Sequence, residues 1–415
     1  MSAGTPVDET EHQHSWDRST AALVGSSFAS LAGALTLTTA VGKQVFDLSH
    51  REIDLGLVGL AEFAPALLLI LVTGTIADRR SRKRISSVAL AGQAGTCAAM
   101  WWYAASEPTA VGPIFAIAFS FGVARAFAAP ANRALIADVA GPDRLAWLIP
   151  RRSAVVQTSF ILGPVLGGTL YAVDPAAPYV AATVLLLTSS MLVSTVTARA
   201  IPLEVTGKPA SRLHDTIEGL RFIRNHQLLL GAISLDLFAV LFGGAVALLP
   251  AIAEDRLHVG AVGYGWLRAA TGIGAAAVTL VLTRRPITRH VGRVLLAAVA
   301  VFGLSTIVLG STTSYVVAFT AVIVLSGADA LSVFIRSTLV PLVTPPEKRG
   351  RVSAVEMVFI GATNELGAFE SGVTGQAFGP AVAVVAGGVA TVGIAAVWWA
   401  KFPGLRDVDG FPKAP

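Results

Sequence analysis

Apolar runs long enough to cross a lipid bilayer recur along this chain between short polar loops, and few architectures accept that pattern. We read twelve of them, at 19–43, 53–77, 85–107, 111–134, 151–173, 178–199, 228–252, 259–283, 291–311, 315–340, 352–376 and 380–400. A membrane-spanning helix needs about 20 predominantly apolar residues, and within hydrocarbon only helices and closed barrels satisfy their own backbone. Composition agrees. Of 415 residues 54% are hydrophobic and 14% charged, where soluble domains carry about 25% charged residues. The expected fold class is an all-α polytopic membrane protein.

Charge placement orients the spans. Counted with the adjoining span ends, the connections after spans two, four, six, eight and ten carry 5, 4, 5, 4 and 3 Lys or Arg, while the alternate loops hold little beyond Arg51 and Arg256, with Lys43 at a helix end. Short loops rich in Lys and Arg stay on the cytoplasmic side. Both termini are therefore expected inside, in what reads as a bacterial inner membrane. Residues 1–18 read as a disordered cytoplasmic tail without a signal peptide's basic start, His12 and His14 as solvated, and 401–415 as a second tail. The net charge of +5 sits in loops and offers no nucleic-acid face. Cys97 is the single cysteine, so no disulfide forms within the chain and no metal site is expected.

The densest charge cluster ends the second span: Gly-Thr-Ile-Ala-Asp-Arg-Arg-Ser-Arg-Lys-Arg, residues 74–84. Its spacing and its place between spans two and three resemble motif A, the signature loop of the major facilitator superfamily. Gly74, Asp78, Arg79, Arg82 and Lys83 match, while Ser81 stands where that family usually has Gly. The resemblance implies that Asp78 meets the positive end of the helix-eleven dipole and that the basic residues hold a cytoplasmic gate shut. A degenerate copy follows span eight, from Arg284 to Arg293, and lacks the Asp.

Further stretches are similar to one branch of that superfamily, the bacterial enterobactin exporters and macrolide efflux proteins of drug:proton antiporter type. Gly163-Pro164-Val-Leu-Gly167-Gly168 resembles the core of the antiporter motif C. There the missing amide of Pro164 and the small glycines would let span five bend. Pro130 to Asp138, Gly219 to Arg224, Gly350-Arg351, Asn364 to Gly372 and Phe402 to Asp409 extend the likeness over nearly the whole chain. The implied architecture is two pseudo-symmetric six-helix bundles, 19–199 and 228–400. The connection at 200–227 contains an amphipathic helix expected on the inner membrane surface, with Leu213, Ile217, Leu220 and Phe222 or Ile223 on its apolar face.

Ionisable residues inside spans are the main candidates for chemistry, because each costs about 2.5–3.5 kcal/mol at the bilayer centre and must face protein or a wet cavity. They are Glu62, Arg125, Asp236, Arg268, Asp329, Arg336, Glu356, Glu365 and Glu370. Glu356, Thr363 and Glu370 recur every seven residues and share a helix face, with Glu365 roughly opposite. Asp329 and Arg336 are also seven apart, too far along the axis for a tight pair, and Arg336 reads as reaching toward the cytoplasmic interface. Glu62 and Asp236 are placed either to meet Arg125 or Arg268 or to serve coupling. The arginines, with the hydroxyls of span one, weigh toward a neutral or anionic ligand.

The chain reads as a secondary active exporter of siderophore-like or drug-like small molecules, working by alternating access with proton antiport. Its alternatives are a polyspecific multidrug pump or a non-transporting membrane sensor. No enzyme constellation stands out. A monomer without cofactor is expected, with the proton gradient as its energy source.

Overall fold

A computed structural model describes residues 16–197 and 212–412. The N-terminal tail with His12 and His14 and most of the connection before residue 212 lie outside the described residues. Every regular element is helical: α1 (Arg18–Ser49), α2 (Glu52–Arg79) and α3 (Arg82–Ala104); α4 (Gly112–Gly141) and α5 (Arg144–Val173); α6 (Ala177–Thr195), α7 (Arg212–Asn225), α8 (Gln227–Phe242), α9 (Ala261–Arg284), α10 (Val291–Ser311), α11 (Tyr315–Val343), α12 (Pro346–Phe378), α13 (Pro380–Lys401) and α14 (Pro403–Arg406). Among the described residues nine spans are long and apolar enough to cross a membrane. The helices α3 and α12 match them in length but carry more polar residues.

Turn chemistry sets the boundaries. Gly141 separates α4 from α5 with φ 65° and ψ 168°, a conformation that favours glycine. Gly379, at φ 85°, separates α12 from α13, and Pro380 starts the next helix. Asp174 accepts the Ala176 amide at 2.7 Å, closing the turn into α6.

The chain divides into two compact units. Among the described residues one comprises 16–40, 64–108 and 116–197, the other 41–63, 109–115 and 212–412. In the first, α3 packs along α6, where the Ser190 hydroxyl donates to the Ser87 carbonyl at 2.8 Å. The equivalent pair in the second, α10 with α13, crosses where Gly303 meets Gly388. The main core of the second unit joins Leu235 and Ala239 of α8, Leu295 and Val299 of α10, and Ile335 and Leu339 of α11.

Two expectations change. The first helix runs on to Ser49, so Lys43 lies inside it and is buried, rather than marking its end. The amphipathic helix α7 does not rest on the bilayer by its whole apolar face. Ile223 is buried against Leu229, Val340, Val352 and Val355, while Ile217 and Leu220 stay exposed. Gly219 brings α7 against the Arg351 carbonyl, and Glu218 pairs with Arg351 at 2.7 Å. Both contacts tie α7 to the start of α12.

Candidate functional site

The helix α8 is strongly apolar apart from Asp236, which is buried. Its Oδ1 lies 2.6 Å from Nη2 of Arg336 on α11, itself only 3% exposed. Arg336 therefore does not extend toward the cytoplasmic interface as its spacing suggested. A carboxylate on the neighbouring helix holds it inside, and the guanidinium Nε is buried without a hydrogen-bond partner. Burying two charges is expensive even when they pair, and removing one partner leaves the other uncompensated.

Two narrow crevices share Asp236 as a common wall. The first is bordered by Asp329 and Ser332 of α11, Val240 of α8 and Phe302 of α10. The second is bordered by Arg336 together with Glu356, Phe359 and Thr363 of α12. Asp236 therefore stands between Asp329 in one crevice and Arg336 with Glu356 in the other. Among the described residues neither Asp329 nor Glu356 makes a direct ion pair; each feels Asp236 and Arg336 through space. The cluster holds three carboxylates and one arginine, and that arginine is engaged by Asp236.

The remaining candidates lie elsewhere. Glu365 projects toward α2, where a Cβ on Gly59 would meet its Oε2 at 2.6 Å. Glu356 and Glu365 thus serve different neighbours, as their angular separation implied. Glu62 and Glu370 are partly buried on α2 and α12, away from the cluster. Arg268 donates to the Tyr264 hydroxyl at 3.1 Å, both beside Gly42. Arg125 is exposed on α4.

Three features escaped the sequence reading. Lys43 bridges Asp47, one turn on, and Glu254, 2.5 Å away, so charges that looked like loop residues form a network around one buried ammonium. Arg152 of α5 reaches the Ser27 hydroxyl of α1 at 3.2 Å. The helix α8 ends inside its span at Gly243-Gly244 and continues as a 3-10 turn over Ala245–Leu248 and a π-turn over Ile252–Arg256. The Gly-Gly pair was the available signal. Broken spanning helices are tolerated where neighbours or a cavity satisfy the freed backbone.

A profile of the Major Facilitator Superfamily matches residues 19–368. The chain belongs to that superfamily. Among curated proteins it is similar to the multidrug efflux pump Tap of Mycobacterium bovis and of Mycobacterium tuberculosis, 27% identical over 86% of this chain and 87% of the relative. Among solved structures it shares its fold with the nucleoside transporter NupG at 16% identity and TM-score 0.68, over 92% of this chain and 98% of that one. It also matches a bacterial homologue of the human lysosomal transporter Spinster at 16% identity and TM-score 0.70, over 97% and 99%. It is accordingly a multi-pass membrane transporter of small molecules, not an enzyme.

As a major facilitator, the chain carries two further motif regions. In the 74–84 segment, which the structure makes helical except at 80–81, Arg82 Nη1 pairs with Asp138 Oδ1 of α4 at 2.6 Å, and Lys83 is partly buried. The side chains of Gly74, Asp78 and Arg79 lie outside the described residues. In α5 the backbone stays helical through Pro164, and the glycines serve close packing on α1. A Cβ on Gly163 would sit 2.7 Å from the Leu35 Cβ, and one on Gly167 2.8 Å from the Thr36 carbonyl. Thr36 donates its hydroxyl to the Gly163 carbonyl at 3.1 Å, and Gly168 is buried beside them.

Proposed function

We propose that this transporter exports small molecules by alternating access in exchange for protons, with Asp236, Asp329 and Glu356 as the coupling carboxylates. One observation carries the reading: three carboxylates line two adjoining crevices inside the spans, where one arginine pairs with Asp236. Two unneutralised negative charges at that depth are prohibitively costly, so protons or a cationic substrate must balance them. The direction of transport is supported by the likeness to the multidrug efflux pump Tap, which favours drug-like substrates. A siderophore-like substrate rests on the motif resemblance alone. The charge bias of the loops supports cytoplasmic termini in a bacterial membrane.

The test is uphill export of ethidium from proteoliposomes under an imposed pH gradient. Wild type exports it, collapse of the gradient stops it, and Asp329→Asn loses uphill export while keeping downhill exchange. Uphill export that survives both Asp329→Asn and Glu356→Gln sinks the assignment of these carboxylates. In a deletion strain under iron limitation, cellular retention of a metal chelator would instead favour the siderophore-like substrate.

A further inference from the structure

The first turns of α5 carry three arginines, and two of them are matched. Arg144 pairs with Asp17 at 2.8 Å. Arg151 donates to the Trp147 carbonyl at 2.9 Å, and its guanidinium lies 4.2 Å from the centroid of that ring. Arg152, partly buried, is different. Its Nε donates to the Ser27 hydroxyl of α1 at 3.2 Å; among the described residues it has no other partner, and no carboxylate acts on it.

Arg152 shares a stripe of α5 with Ser159 and Gly163, seven and eleven residues on. Both are turned to α1, where the Ser159 hydroxyl reaches the Phe28 carbonyl at 3.4 Å and a Cβ on Gly163 would lie 2.7 Å from that of Leu35. The guanidinium therefore lies in the seam between α1 and α5. It is eight residues from the start of α5, about 12 Å along the axis. An ionisable side chain inside a span normally meets a paired charge or a wet cavity, and marks a substrate or ion path.

Ser27 fixes how the arginine is presented. Its hydroxyl donates to the Leu23 carbonyl at 2.9 Å, so its oxygen is left to accept from Nε. Neither Nη bonds a described residue, and neither is enclosed, in contrast to the buried Nε of Arg144 and of Arg336. A guanidinium offers its donors in a planar fork that matches a carboxylate or a phosphate. Here one edge of the fork is held by α1 and the other points out of the seam.

We propose that Arg152, positioned by Ser27, binds an oxyanion, a carboxylate or phosphate carried by the transported molecule or by a lipid headgroup. The first source names a substrate class, small molecules bearing an anionic group, and rests on the export reading. The second does not.

Thermal unfolding of the full-length protein in phosphatidylcholine nanodiscs tests the site without any transport. Inorganic phosphate is titrated against chloride at matched ionic strength. Its exclusion from protein surfaces stabilises all variants alike, so the readout is the saturable part of the rise. Wild type is expected to show one. Arg152→Lys keeps the charge but not the fork, and should need about tenfold more phosphate for half-saturation. Arg152→Met should have no saturable part. Ser27→Ala should raise the half-saturating concentration although the charge remains, a shift that a merely structural hydroxyl would not give.

Discs containing phosphatidylglycerol separate the two sources. With a soluble anion as the ligand, the phosphate response persists in them. With a headgroup as the ligand, phosphatidylglycerol itself raises the unfolding temperature of wild type over that of Arg152→Met and abolishes the phosphate response. A wild type that responds to phosphate and to phosphatidylglycerol no differently from Arg152→Met overturns the site. A saturable response in protein that fails to export ethidium uphill leaves the site standing, and the antiport reading falls.

Discussion

Lys43 on α1 sits 2.5 Å from Glu254, 211 residues later in the chain, in the π-turn that follows α8. The same ammonium contacts Asp47, and Lys43 is buried to 7% exposure. Gly42, its neighbour, lies against the Tyr264 hydroxyl of α9. At the end opposite the basic loops, the second unit thus includes the last turns of α1 clasped onto the π-turn after α8 and onto α9.

The proposed alternating-access cycle would open this clasp. Charge-assisted hydrogen bonds contribute about 1.5–3 kcal/mol, so losing the pair should raise the open population about 10- to 100-fold. The measurement is the maleimide labelling rate of Val45→Cys, at a site with no exposure, in a Cys97→Ser background. Lys43→Met should label faster by that factor, and Glu254→Gln by less because Asp47 remains. Unchanged labelling in Lys43→Met would show that the clasp holds nothing shut.

A second contact in the same unit is set by glycine. A Cβ on Gly56 of α2 would lie 2.7 Å from the Phe369 Cα and 3.0 Å from the Ala368 carbonyl of α12, backbone that has no rotamer to yield. Gly56→Ala should therefore destabilise by about 1–3 kcal/mol, as overpacked cores do, and lower ethidium export with it. Gly95→Ala on α3, with nothing within 4 Å, is the matched control. There the substitution should be neutral or stabilising by up to about 1 kcal/mol, the helix-propensity gain over glycine. Thermal unfolding in detergent compares the two, and equal effects would refute the close-approach reading.

The helices were legible because the bilayer fixes their length and the positive loops fix their order, so periodicity and pairing hardly entered. What stayed hidden was which helix each polar residue faces. Asp329 and Arg336 could be placed on one face of one helix, but the partner of Arg336 came from α8, ninety and more positions earlier, and no local spacing encodes that. Lys43 was misread for a similar reason. Its helix continues to Ser49 through Asp47, a residue that apolar-run counting treats as a loop. On α12, by contrast, the seven-residue repeat grouped Glu356, Thr363 and Glu370, and the first two of these line one crevice while Glu370 is not among its lining residues.

The last prediction concerns the start of α1. Asp17 accepts the Thr20 amide at 2.7 Å and pairs with Arg144 at 2.8 Å. Beside it Trp16 packs edge-on against Trp147, centroids 5.1 Å apart, with the Arg151 guanidinium 4.2 Å from the same ring. Partial burial works against the charged form of Asp17, but the Thr20 hydrogen bonds and the Arg144 guanidinium outweigh it and hold the carboxyl below its usual range. A carboxylate whose folded value is depressed stabilises fully above its unfolded value, about pH 4, and loses that contribution as pH falls toward the folded value. Because the Asp17 side chain is 48% exposed, solvent screening limits the effect to about 0.2–1 kcal/mol. The difference in tryptophan emission between wild type and Trp147→Phe should stay constant from pH 8 to about 4 and collapse below it. Asp17→Asn should show the collapsed signal already at pH 7. If Asp17→Asn keeps the wild-type signal, the aromatic stack rather than the ion pair fastens this segment, and no acid-dependent release is expected.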